Sequence, residues 1–215
     1  MSQHRMVRSA FILILTVAIA APLFAQAPAG WQVRIDKSTN ASDPDDVPEV
    51  KVVTVGKGFR VTGGPAGTYW NAASTAKGNY TVRANFNLMK PSGHVNYYGI
   101  VFGGSDLNGV NQQYIYFLVA QNGSFIIRQR TGDKVADVVS RTMPHPAIRL
   151  PGADGTSTNA LEVRVGASQI EYVVNGQVVH TTPKTGLTAQ TNGIAGVRIN
   201  NVLDVTVDGF QVQQQ

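Results

Sequence analysis

The chain has 215 residues, no cysteine and a formal charge of +5. Without cysteine there is no disulfide framework and no thiolate zinc site. The basic residues are scattered rather than gathered in a stripe, which argues against a nucleic-acid partner.

The first 27 residues read as a secretory leader. His4, Arg5 and Arg8 give a positive start, and an apolar run extends from Phe11 to Ala21. That run is shorter than the roughly 20 residues that span a bilayer. Pro22 and the small-x-small pattern Ala25-Gln26-Ala27 follow, as in a signal peptide. Cleavage after Ala25 and after Ala27 both remain open, and an uncleaved N-terminal anchor is the competing reading. Residues 28–215 are expected to form one domain, secreted or periplasmic and free of the membrane. Losing Arg5 and Arg8 leaves 16 basic and 13 acidic residues, a charge of +3.

Trp31, Val33 and Ile35 alternate with polar residues and predict a short first strand. Asn40 to Pro48, NASDPDDVP, is a loop by composition. VKVVTVG from Val50 and GFRVTGG from Gly58 predict a hairpin. YTVRANFNLM from Tyr80 alternates cleanly. Tyr80, Val82, Ala84, Phe86 and Leu88 fall on one face, and Thr81, Arg83, Asn85 and Asn87 on the other. YYGIVFGGSDL from Tyr97 and QYIYFLVAQNGSFIIRQRTG from Gln113 continue the series, with Asn122-Gly123 as a hairpin turn. Ser140 to Ser157, rich in Pro and Gly, predicts a long surface loop. NALEVRVGASQIEYVVNGQVV from Asn159 repeats the hairpin device at Asn175-Gly176, and GIAGVRINNVLDVTVDGFQV from Gly193 closes the chain. No segment carries helical periodicity over three turns. About a dozen short strands predict an all-β fold, an antiparallel two-sheet β-sandwich or jelly roll after the signal helix, with an up-and-down barrel as competitor.

The order of these segments, from GNYTVRANF to LDVTVDGFQV, resembles the concanavalin A-like lectin/glucanase superfamily. More narrowly it is similar to bacterial secreted domains of the 3-keto-disaccharide hydrolase type, long described as domains of unknown function. The resemblance covers roughly Trp31 to Val212 and rests on hairpin glycines, the N-x-L-x-V-x-V strand and the V-N-G turn. It implies a sandwich fold that hosts lectins, glycosidases, lyases and adhesion modules. The glucanase branch carries E-x-D-x-x-E on one strand, and this chain has no such motif.

Glycoside hydrolysis needs two carboxyls facing one sugar. Outside the leader the glutamates are Glu49, Glu162 and Glu171. Glu162 shares a strand face with Arg164 and reads as half of a solvated charge pair. No catalytic residue is assigned, and the reading leans away from an enzyme; if it is one, it is of the glycoside hydrolase type.

A sugar site needs aromatic platforms beside polar side chains. Tyr114 and Tyr116 share one strand face, Arg128 and Arg130 another, and Arg83, Asn85 and Asn87 a third. If these faces coincide on one exposed sheet, they form a groove for a polyol or an acidic glycan. Trp70, after GGPAG, and Tyr98 are further platforms from loops, and Asp106 is a polar candidate in the GGSDLNG turn. The competing readings are that the tyrosines are core or rim residues, that Trp70 plugs the end of a sandwich and that Asp106 is a turn residue. No cofactor is expected. Calcium is the alternative, through Asp43, Asp45 and Asp46 or through Asp106, Asn108 and Asn111, though neither cluster follows an established calcium spacing. The expected function is a secreted, lectin-like carbohydrate-binding sandwich. The alternatives are a hydrolase with unconventional residues and a protein-contact module.

Overall fold

A computed structural model describes residues 27–40, 42–46, 49–140 and 144–215. The leader expectation falls on residues outside these, Ala27 excepted.

The described chain is all-β. Its strands are β1 (Trp31–Asp36), β2 (Lys51–Val55), β3 (Gly58–Thr62), β4 (Ala66–Ala76), β5 (Tyr80–Lys90), β6 (Tyr97–Ser105) and β7 (Gln113–Ala120). They continue as β8 (Phe125–Thr131), β9 (Lys134–Val139), β10 (Ser157–Val165), β11 (Gln169–Val174), β12 (Gln177–Pro183), β13 (Gly193–Ile199) and β14 (Asp204–Gln214). Two seven-stranded antiparallel sheets result. The first runs β1-β4-β13-β6-β7-β8-β9, the second β12-β11-β10-β5-β14-β3-β2. The chain crosses between sheets repeatedly, as a jelly-roll-like sandwich does.

One apolar core lies between the sheets. Phe86, Leu88 and Val163 of the second sheet meet Ile100, Phe117 and Ile127 of the first, all fully buried. Fully burying a side chain of this size contributes about 1.5–3 kcal/mol. Three of the tyrosines inside find partners for their hydroxyls, as buried phenols usually do, whereas the buried Tyr69 hydroxyl has none among the described residues. Tyr172 pairs with Thr182 at 3.2 Å, Tyr80 donates to the Thr191 carbonyl, and Asn159 donates to Tyr98 at 3.2 Å. Burial pushes the Tyr172 hydroxyl up to about 12.

The Asn175-Gly176 turn has positive φ at both residues, 49° and 83°, and joins Val174 directly to Gln177 in register. That is the two-residue primed turn. At Asn122-Gly123 only Gly123 has positive φ. The loop there is wider, with the Ala120 N–H donating to the Ser124 carbonyl at 2.8 Å. The long loop before β10 is pinned by Asn159, which is fully buried. Its Oδ1 accepts from the Arg149 N–H (2.8 Å) and from Asn175 Nδ2 (2.9 Å), and its Nδ2 donates to the Arg149 carbonyl (3.0 Å).

Candidate functional site

The outer face of the first sheet carries a second buried cluster. Cross-strand register aligns Trp70, Gly196, Val101, Tyr116, Arg128 and Asp137 in one row across six strands. The next row holds Thr68, Arg198, Gly99, Leu118 and Ile126. Trp70, Tyr114, Tyr116, Leu118 and Ile126 pack together there.

Asp36 shows that this face is concave. Its Oδ2 accepts from Arg198 Nη1 at 2.6 Å and from Arg130 Nη1 at 3.1 Å. Asp36 is on β1 and Arg130 on β8, five intervals apart in the sheet. A flat sheet would separate those strands by about 24 Å, far beyond the combined reach of the two side chains. The sheet must therefore curl around its outer face. The contact of Thr68 Oγ1 with the Tyr114 hydroxyl at 3.4 Å, across three intervals, requires the same curl.

Arg198 is the centre of the network. Its Nη1 also donates to Thr68 Oγ1 (3.0 Å) and the Tyr114 hydroxyl (3.2 Å). Its guanidinium lies 5.8 Å from the Tyr116 ring centroid, a cation–π distance. Arg34 Nε donates to Asp36 Oδ1 at 3.2 Å, and Arg34 Nη1 to the Gly109 carbonyl at 2.7 Å. That last bond ties the loop between β6 and β7 to the edge strand. Leu107 of this loop is buried against the outer cluster, so the loop closes one end of the face.

Burial alone would push the Asp36 carboxyl up. The charges of Arg198 and Arg130, with hydrogen bonds from Arg198 and Arg34, outweigh it and hold the carboxyl below its usual range. The Arg198 guanidinium is held charged against its own burial by the Tyr114 hydroxyl and Asp36. Three arginines thus surround one carboxylate, leaving an excess of positive charge. Arg128 is separately paired with Asp137 at 2.5 Å.

Tyr114, Tyr116, Arg128, Arg130 and Trp70 do converge on this concave face. Arg83, Asn85 and Asn87 do not join them. Those three project from β5, a central strand of the second sheet, onto the opposite side of the molecule. There Arg83 donates to Gln211 Oε1 (3.1 and 2.7 Å), Asn85 to Asp208 Oδ1 (2.9 Å) and Asn87 to Asp208 Oδ2 (3.1 Å). The expected single groove is therefore two separate surfaces, because β5 and β7 belong to different sheets. Tyr98 is corrected too: it packs in the core against Phe86, with ring centroids 5.6 Å apart. Trp70 is no loop residue; it lies within β4, only 2 % exposed. Tyr114 and Tyr116 are also buried, so their rings wall the site rather than offering open platforms. Asp106 sits in the β6–β7 loop with φ 47° and accepts from the Asn111 N–H at 3.1 Å, a turn-holding role.

Glu162 and Arg164 pair as expected, and Arg164 also reaches Glu171 at 3.3 Å. In the acidic loop Asp43 accepts from the Asp45 N–H (3.0 Å), Asp46 from the Ser38 N–H (2.6 Å), and Asp45 lies 3.2 Å from His94 Nε2. Among the described residues no group of three or more His, Cys, Asp or Glu is gathered as a metal site.

Sequence reasoning missed Asp36, Arg198, Arg34 and Thr68. Alternation signalled that Arg198, between Val197 and Ile199, faces outward. Nothing local signalled that Asp36, more than 160 positions earlier, is its partner.

No protein-family model and no curated protein matches the chain. Solved structures do. A carbohydrate-binding module, CBM66 from Bacillus subtilis, superposes with a TM-score of 0.60 at 9% identity, covering 86% of this chain and 95% of that one. A Bacillus subtilis protein of unknown function with a galectin-like fold gives 0.59 at 10% identity, covering 86% and 89%. A Bacillus licheniformis β-glucanase gives 0.53 at 15% identity, covering 89% and 95%. The fold is that of the concanavalin A-like sandwiches. At such identities the likeness is one of fold alone.

Proposed function

We propose that the protein is a secreted, lectin-like carbohydrate-binding sandwich whose ligand enters the concave face of the first sheet. One observation carries this reading: three arginines gathered around a single carboxylate, between tyrosine and tryptophan walls, on a curled sheet. The fold shared with a carbohydrate-binding module and a galectin-like protein supports it. The arginine excess favours an acidic sugar, because guanidinium groups bind carboxylates through paired, charge-assisted hydrogen bonds. Arg34, Arg128 and Arg130 are the groups with accessible edges.

The resemblance to 3-keto-disaccharide hydrolase-type domains makes hydrolysis the alternative. The concave face argues for binding instead. Its carboxylates, Asp36 and Asp137, are both engaged by arginines. The Asp36 carboxyl, held ionised by its arginines, is a poor general acid, and two-carboxylate hydrolysis needs one.

The test is calorimetric titration of the chain from Gln26 onward with polygalacturonate, alginate, laminarin and a cellulose oligosaccharide, with and without calcium. The acidic polymers should bind saturably and more tightly than the neutral ones. Tyr116→Ala and Arg130→Ala should each weaken that binding by roughly tenfold, about 1.4 kcal/mol, with circular dichroism unchanged. Binding of no acidic polymer in either condition would sink the reading. Release of reducing sugar during the titration would revive the hydrolase.

A further inference from the structure

Among the described residues every Phe, Tyr and Trp side chain is buried except two, Trp31 and Phe210. Their rings meet edge to face, with centroids 5.2 Å apart and planes at 73°. Phe59 backs Trp31 at 4.8 Å. Neither of these two rings, which are partly buried against the core, lies on the concave face. Both wall a depression of about 280 Å³ at the lateral edge of the sandwich, where β1 and β4 meet β3 and β14.

Two backbone devices build this place. On β14, Asp208 pairs with Asn85 and Gln211 with Arg83, so Gly209 and Phe210 together oppose Ala84 alone. That is a β-bulge, with Gly209 at φ +60°. A bulge re-aims the side chain it carries, and here Phe210 is brought against Trp31. On β3, a Cβ at Gly58 would fall 1.9 Å from the Val207 carbonyl oxygen, so only glycine lets β3 approach β14 this closely.

The rim is polar. Lys57, Asn71, Ser74, Asp208 and Gln211 surround the two rings. The Asp208 carboxylate is fixed by one hydrogen bond to each oxygen, from Asn85 and Asn87. Gln211 Oε1 accepts from Arg83 Nε and Nη2. Gly209 and Gln211 also line a second depression, about 370 Å³, on the outer face of the second sheet with Arg83, Asn85 and Glu162. The two depressions adjoin at Gly209 and Gln211.

We infer that the two depressions together form a groove that is a second carbohydrate site, for a neutral oligosaccharide, separate from the concave face. Sugar rings offer C–H faces that stack on the negative faces of aromatic rings, and hydroxyl edges that need a polar rim. The groove's lining holds two basic residues, Lys57 and Arg83, and two acidic ones, Asp208 and Glu162, so the lining carries no net charge and favours no ion. The first depression lies just below the range of small-molecule pockets and suits a single ring on Trp31 and Phe210. The next ring of the oligosaccharide lies over Arg83 and Glu162.

The chain has two tryptophans, Trp31 and Trp70. Trp70→Phe therefore makes Trp31 emission a reporter of this groove alone. It is titrated with cellohexaose, laminarihexaose, xylohexaose and mannohexaose. At least one should change Trp31 emission saturably, and the double variant Lys57→Ala/Gln211→Ala should weaken that response about tenfold or more. Both substituted residues are exposed, so folding is not at stake. The same double variant in the Trp70 background, followed by calorimetry, keeps the test valid if Trp70→Phe folds poorly. A flat response to all four sugars overturns the inference. So does a response that the double variant leaves intact, or one that Arg130→Ala abolishes, which would assign the binding to the concave face.

Discussion

Asp36 is the residue on which the concave face depends. Alone among the carboxylates there it meets three arginines, on β1, β8 and β13. Asp36→Asn would leave those guanidinium groups, Arg198 buried and Arg34 and Arg130 partly so, with no counter-charge. Breaking a buried pair from one side costs about 3–5 kcal/mol, and urea unfolding should show a loss of that size. The same residue sets an acid limit. Its carboxyl is held below the unfolded value of about 3.9, so the unfolded chain takes up this proton first as pH falls. The stability it contributes is therefore complete above that value and is lost as pH drops through the lower, folded one. Thermal unfolding followed between pH 6 and pH 2 should show the steepest fall below about pH 4, and Asp36→Asn should flatten it. The sequence offered Arg128 and Arg130 by residue type alone. It could not offer Asp36, because the choice of partner depends on curl in a sheet whose strands are distant along the chain.

At the scale of elements, alternation was a reliable guide and exposure was not. β5 reads buried at Tyr80, Val82, Ala84, Phe86 and Leu88, as its period of two predicts. β6 and β7 are apolar nearly throughout because both their faces are covered, one by the core and one by the outer cluster. The shared outward face of Tyr114 and Tyr116 was therefore legible, but their burial was not. β4 escaped notice because AGTYWNAASTA has no clean period. Its first half is buried on both faces and its second half is largely exposed. Asn159 is the element-scale residue that composition hides. It lies in the N-x-L-x-V-x-V strand, where its neighbours look more important, yet it satisfies both sides of its amide with Tyr98, Arg149 and Asn175. Asn159→Ala leaves several buried polar groups unpaired at once, and each costs about 1–3 kcal/mol. The variant should lose at least about 3 kcal/mol by denaturant titration, and the loop carrying Arg149 should gain proteolytic sensitivity before global unfolding.

At the scale of the molecule, the two sheets present different chemistries to solvent. The first offers a curled face with excess guanidinium. The second offers charges and amides that are mutually paired, ending at the Trp31–Phe210 edge. Ligand binding at the concave face should fall with added salt, as charge recognition at an accessible site does, while binding in the aromatic groove should not. Calorimetry at 50 mM and 500 mM sodium chloride separates the two. With one continuous core and no disulfide, unfolding should be a single transition. Tryptophan emission and far-ultraviolet dichroism should report the same midpoint, with or without reductant.

The sequence by itself determined the all-β class, the main hairpins, the in-or-out parity of each regular strand and the absence of disulfide chemistry. These follow from local rules: a period of two, turn residues with positive φ and residue type. Only the tertiary structure decided which strands share a sheet. That assignment separated Arg83, Asn85 and Asn87 from Tyr114, Tyr116, Arg128 and Arg130, and it brought Asp36 to Arg198. Parity is encoded within a strand. Sheet membership and curl arise from contacts between strands far apart along the chain, so no local pattern carries them.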